Sequence, residues 1–306
     1  MKTFLKTASI ATLALATSAG LAAAQDDGPL KIGMTFQEMN NPYFVSMQEA
    51  LNEAAAQLGA EVVVTDAGHD VAKQISDVED MLQQGIDILL VNPTDSAGIE
   101  TAVRMAKDAG AIVVAVDANA NGPVDSFVGS KNRDAGYQSC KYLAEALGGE
   151  GEVAILDGIP VVPILERVEG CKAALEEAEG ITLVDTQNGR QDRSVALGVV
   201  ENMIQSHPDL AGIFSVNDGG AMGALAAIQG SGKDIKLTSV DGAPEAVEAI
   251  AKGTAFIETT AQFPRDQVRI GLAMALAKHW GAQVVPTEVP IDVKVVDAEN
   301  AEGFSW

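Results

Sequence analysis

Basic residues are scarce in this chain: 20 Lys and Arg stand against 43 Asp and Glu, a formal net charge of −23. A surface of that sign repels nucleic acid and anionic lipid and does not steer an anionic ligand inward. No basic helix-turn-helix occurs, which argues against a DNA-binding regulator. Cysteine occurs twice, at Cys140 and Cys171, with no histidine nearby in sequence. A zinc site and a nucleophilic thiol are therefore poor readings. Both cysteines fall on segments with helical spacing. A disulfide and a pair of buried free thiols fit equally, because sequence does not supply the Cα separation of a bridge. The three histidines, His69, His207 and His279, follow no metal or catalytic pattern and read as surface or structural groups. Gly-x-Ser-x-Gly and His-Glu-x-x-His are absent. Gly230-Ser231-Gly232-Lys233 suggests a phosphate loop, but Asp234 follows where Ser or Thr is needed, so it reads as a helix-ending turn. No catalytic residue, metal or cofactor is expected.

The chain begins with Lys2 and Lys6, an apolar stretch from Ala8 to Leu21, and Ala22-Ala23-Ala24. That order reads as a secretory signal peptide over residues 1–24, cleaved before Gln25. Its loss removes two lysines and no acid, so the exported form is more acidic still. No later apolar run reaches the roughly 20 residues of a spanning helix. A soluble periplasmic protein is expected.

Six apolar, β-branched runs each stop on a carboxylate or a carboxamide. VVVT ends at Asp66, ILLV at Asn92, IVVAV at Asp117, VAIL at Asp157, IFSV at Asn217-Asp218, and LTSV at Asp241. Helically spaced segments lie between them, such as Phe44, Met47, Leu51, Ala54 and Leu58. This alternation predicts α/β architecture: two doubly wound parallel-sheet lobes with a cleft between them. A last strand is predicted near Val289–Val296. Ligands of such sheets bind outside the carboxyl ends of the strands. A row of Asp and Asn there suits a neutral ligand with many hydroxyls, a sugar or polyol.

Asn40-Asn41-Pro42-Tyr43-Phe44-Val45 resembles the ribose-binding-protein group of periplasmic sugar-binding proteins. The likeness continues through ILLVNPTDS at Ile88–Ser96, Glu166-Arg167-Val168-Glu169-Gly170, Asn217-Asp218 with Gly223-Ala224-Leu225, Val240-Asp241-Gly242 and Ala261-Gln262-Phe263-Pro264. It spans essentially the whole exported chain, in order. The resemblance implies the type I periplasmic binding protein fold, with a three-segment hinge and closure on a sugar. It puts residues 25–130 and 263–289 in one lobe and 131–262 and 290–306 in the other. It further implies a monomer that delivers ligand to an inner-membrane ABC transporter permease; some such proteins also signal to a chemoreceptor.

The resemblance assigns ligand contacts to Asn41, Tyr43, Phe44, Asp117, Arg167, Asn217, Asp241 and Gln262. Each has a plainer alternative. Asp117 and Asp241 could cap helices, and so could Asn41. Arg167 could pair with Glu166 or Glu169 on the surface, although a cation near a helix start needs a reason. Tyr43 and Phe44 could be core. Asp66, Asn92 and Asp157 are expected to cap helices or brace the hinge. The chain departs from the ribose pattern at three places: Ala118 stands where that group has Arg, Gln37 where it has Ser, and Gln191 where it has an aromatic. Losing a multi-donor fork and a stacking surface argues against ribose. Gln37, Asn119 and Gln191 are added as candidate contacts of an amide-rich pocket. The competing classes are a sugar-acting enzyme, for which no nucleophile–base pair is present, and a repressor's sensory domain, which the export signal opposes.

Overall fold

The structure is a computed structural model and describes residues 28–306. The segment read as a signal peptide lies outside the described residues. The chain opens with β1 (Lys31–Phe36), α1 (Pro42–Leu58), β2 (Glu61–Asp66), α2 (Val71–Gln83), β3 (Ile88–Val91), α3 (Glu100–Asp108), β4 (Ile112–Val116) and β5 (Ser126–Ser130). A second series follows: α4 (Asn132–Ala146), β6 (Glu150–Asp157), α5 (Val162–Glu176), β7 (Gly180–Asn188), α6 (Arg193–Ser206), β8 (Leu210–Ser215) and α7 (Asp218–Ser231). It closes with β9 (Lys236–Asp241), α8 (Pro244–Ala251), β10 (Phe256–Ala261), α9 (Pro264–His279), β11 (Glu288–Ile291) and β12 (Lys294–Asp297).

The strands form two six-stranded sheets, ordered β11-β5-β4-β3-β1-β2 and β12-β10-β9-β8-β6-β7. Neighbouring strands are parallel, except that β12 runs antiparallel to β10. Both faces of each sheet are covered, which is why the strands read as continuous apolar runs. In the first sheet Met34 and Leu90 meet α1 and α9, while Leu89 and Val113 meet α2 and α3. In the second, Ile213 and Leu237 lie under α6, α7 and α8, and Ile155 and Phe214 under α4 and α5.

Among the described residues the chain passes between the lobes three times. β5 belongs to the first sheet, and α4 packs on the second. β10 belongs to the second sheet, yet α9 packs against α1, β4 and β5 of the first. The segment expected to be one strand over Val289–Val296 is two. β11 pairs with β5 through Ile291, and β12 pairs with β10 from Lys294. The apolar alternation runs on through Val293 and Val295, so periodicity alone does not register the change of sheet.

Helices α4 and α5 approach so closely that only glycine fits at the crossing. A Cβ on Gly136 would lie 1.9 Å from the Arg167 carbonyl oxygen, and one on Gly170 would lie 1.9 Å from that of Arg133. Cys140 and Cys171 join the same two helices in a disulfide, with Cα atoms 5.0 Å apart. This packing fixes where the Arg167 side chain emerges.

Candidate functional site

The carboxyl ends of both sheets converge on one cavity. The first lobe supplies Gln37 after β1, Asn41, Tyr43 and Phe44 at the start of α1, and Asp117 and Ala118 after β4. The second supplies Val161, Pro163, Ile164 and Arg167 on and beside α5, with Gln191, Asn217 and Asp241 from the loops and strand tips. Gln262 lies at the crossing after β10. Ten of the eleven sequence candidates therefore share one space. Asn119 does not: it is exposed and lines a separate groove with Lys131, Glu166 and Glu288. The chain turns sharply at Asp117, whose φ is 68°. Ala118 then faces the cavity and its neighbour Asn119 the outer groove.

Asp117 caps no helix, because β5 is the next element. Its Oδ1 accepts from the Tyr43 hydroxyl at 3.0 Å, and its Oδ2 from Asn92 Nδ2 at 3.0 Å. Burial pushes its pKa up to about 6, against the pull of Arg167 and of these two donors. At neutral pH it is ionised. The Tyr43 phenol is raised well above its ordinary value, first by burial and then by the Asp117 charge, so it stays a donor. Gln267 Nε2 in turn donates to the Tyr43 oxygen at 2.9 Å and to Ser130 Oγ at 2.7 Å.

Asp241 caps no helix either. Its Oδ1 accepts from Gln262 Nε2 at 2.8 Å and Arg167 Nη1 at 3.3 Å, and its Oδ2 from the Asp218 amide at 3.3 Å. Asp218 lies behind it, held by Ser239 Oγ, Thr259 Oγ1 and the Ala243 amide. Burial raises both carboxyls, and the Asp241 charge adds to the rise at Asp218, which reaches about 8. The donors around Asp218 and the guanidinium beside Asp241 oppose these rises.

Arg167 is 3% exposed. Its Nε donates to Asn132 Oδ1 at 2.9 Å and its Nη1 to the Val216 carbonyl at 2.8 Å. It does not pair with Glu166 or Glu169; Glu169 pairs with Arg133 instead. A cation this deep needs such fixed partners.

Three carboxamides that line the cavity each have one buried atom unpaired. Gln37 Oε1, Asn217 Nδ2 and Gln262 Oε1 are buried without a hydrogen-bond partner. The other end of Asn217 caps α7 by accepting from the Gly220 amide at 3.0 Å. Asn41 likewise caps α1 through the Tyr43 amide while lining the cavity. An unpartnered buried polar atom costs about 1–3 kcal/mol. A hydroxylated molecule in the cavity would relieve all three. Phe44, Val161, Pro163 and Ile164 supply apolar surface for C–H faces. Asn92 does not cap a helix. Its Oδ1 accepts from the Gln37 amide at 3.1 Å, so it ties two lining residues together.

The model of the periplasmic binding protein domain matches residues 32–281. The chain belongs to that family. Among its relatives, the ribose import binding protein of Bacillus subtilis is 39% identical over 242 residues, 76% of either chain. A periplasmic solute-binding protein of an ABC transporter from Actinobacillus succinogenes, solved with bound D-allose, is similar with a TM-score of 0.84 and 30% identity. That match covers 90% of this chain and all of the other. A solute-binding protein of an ABC transporter from Mycobacterium smegmatis, solved with bound glycerol, gives a TM-score of 0.86 at 32% identity, covering 91% and 98%. These relatives of the periplasmic binding protein family are binding proteins, not enzymes. The two doubly wound lobes are the fold they share.

Val161, Pro163 and Ile164 are lining residues that the sequence reading did not single out. Their only signal is position: they follow the β6 tip and open α5. Gln267 and Asn132, which hold Tyr43 and Arg167, carry no sequence signal as polar residues inside helices.

Proposed function

We propose that this chain is an exported, monomeric binding protein. It captures one neutral sugar or polyol between its lobes and delivers it to an inner-membrane ABC permease. The supporting observation is that three carboxamides with unpartnered buried atoms line one cavity together with two buried carboxylates and Arg167. Hydroxyls both donate and accept, so one polyhydroxylated molecule matches donors and acceptors of both kinds. A net anionic ligand would meet Asp117 and Asp241 at close range. Ribose, D-allose and glycerol, named for the relatives above, are all neutral and hydroxylated. The ligand classes that fit this chemistry are a pentose, hexose, sugar alcohol or cyclitol.

We further propose that ribose is not the preferred ligand. Ala118 and Gln191 line the cavity where the ribose group has an arginine and an aromatic. The first loses donors and the second loses a stacking face. The lobes, 25–130 with 263–291 and 131–262 with 294–306, would move about the three crossings, the last of them after Ile291 rather than Val289, and a ligand holds the closed form only by binding it better than the open one.

A thermal-shift screen of the exported protein against pentoses, hexoses, sugar alcohols and cyclitols tests this reading. Ligand that binds only the folded state raises the melting temperature. At least one neutral polyol is expected to raise it more than ribose does. Micromolar ribose binding with no tighter polyol would remove the specificity proposal, and no shift with any polyol would remove the function.

A further inference from the structure

We propose that Trp306 is a positioning residue for ligand capture, a clasp behind the cavity that joins the lobes and fixes the side chains that carry its carboxylates. The inference rests on the polyol-binding reading above.

The segment after β12 engages both lobes within three residues. Phe304 packs on the second-lobe core that contains Phe256, Ala261 and Val296. Trp306 packs instead against the first-lobe core that contains Met34, Phe44 and Met47. Its ring meets Tyr43 edge-on, with centroids 5.7 Å apart and planes at 87°. Its Nε1 donates to the Asp241 carbonyl at 2.9 Å. One side chain therefore touches Tyr43 of the first lobe and Asp241 of the second.

Both contacts bear on groups that face the cavity. Tyr43 donates to Asp117 Oδ1, and the Trp306 ring limits where the phenol can sit. Asp241 has φ 141°, a region that residues with a side chain rarely adopt. Its carbonyl accepts from Trp306 and from the Gln262 amide at 2.9 Å, so two donors hold that conformation. Trp306 does not line the cavity itself; it acts through Tyr43 and Asp241. Separation of the lobes must break its contact with one of them. The clasp thus favours the closed form in which Asp117 and Asp241 face the same ligand.

The chain has two tryptophans, and Trp280 is 71% exposed. In a Trp280→Phe background the remaining indole reports on the clasp. Binding of the polyol panel is measured first with the wild-type protein. The tightest panel member is then titrated into Trp280→Phe, Trp306→Phe and Trp306→Leu. Expected results are a ligand-dependent change in Trp306 emission with less acrylamide quenching, and a dissociation constant about threefold to tenfold higher in Trp306→Phe. That is the size of one net hydrogen bond. The loss should appear as faster dissociation and be larger in Trp306→Leu. Wild-type affinity and dissociation rate in both Trp306 variants, or emission unaffected by ligand, would overturn the clasp and leave the binding function standing. A wild-type protein that binds no panel member would overturn both.

Discussion

Gln262 donates its Nε2 to Asp241 Oδ1 at 2.8 Å and keeps its own Oε1 buried and unpartnered. The amide at a crossing between the lobes is thus tied to a carboxylate through its nitrogen and unpaired at its oxygen. Asp241→Asn keeps the shape but removes the charge that Arg167, Gln262 and a ligand hydroxyl share. The expected loss in polyol affinity is about 10- to 100-fold, the worth of a charge-assisted hydrogen bond. Calorimetric titration checks it.

Affinity should depend on pH through Asp117. Its pKa in the free protein stands at about 6, raised chiefly by burial. A ligand hydroxyl that donates to the carboxylate favours the anion and lowers that value. Binding then releases a proton below pH 6. Affinity should fall about tenfold from pH 7 to pH 5, at one decade per pH unit beneath the free value. Titrations across that range check it, and Asp117→Asn should be flat.

Stability should run the other way with pH. Glu258 is fully buried between Ser139 Oγ and Thr260 Oγ1, and burial pushes it up to about 8. Its folded pKa lies above its unfolded one, so the folded state holds the extra proton between about pH 4.5 and 8. Stability falls as pH rises through that window, and Asp218 acts with the same sign. Glu258→Gln should melt higher than wild type at pH 8 by about 5 °C, at roughly 2–4 °C per kcal/mol. The difference should shrink toward pH 5. Calorimetric melts at both values check it.

The Cys140–Cys171 disulfide closes a 31-residue separation between α4 and α5. Its removal by Cys140→Ser with Cys171→Ser should cost about 3.5 kcal/mol by loop entropy. Melting should drop by about 10 °C. Affinity should change far less, because Arg167 keeps its bonds to Asn132 and Val216. Melting and titration on the same variant separate the two effects.

The strand tips were legible because parallel strands covered on both faces must be apolar until they reach the ligand edge. Asp117, Asn217 and Asp241 stand out as the first carboxylates or carboxamides there. Arg167 was legible by resemblance and by its odd place near a helix start. Asn119 was misplaced because a left-handed residue before it redirects the chain, and φ 68° at Asp117 leaves no mark in composition. The change of sheet between Ile291 and Lys294 was hidden by unbroken alternation. Trp306 could not be read at all, since its partners Tyr43 and Asp241 are brought to it only by the tertiary fold.

The most direct measurement is a crystal structure of the protein with the tightest polyol of the panel. The expected density lies between Asp117 and Asp241. Its hydroxyls should be within hydrogen-bond distance of Gln37 Oε1, Asn217 Nδ2 and Gln262 Oε1. A ligand seated in the outer groove beside Asn119, with those three atoms still unpartnered, would contradict the account.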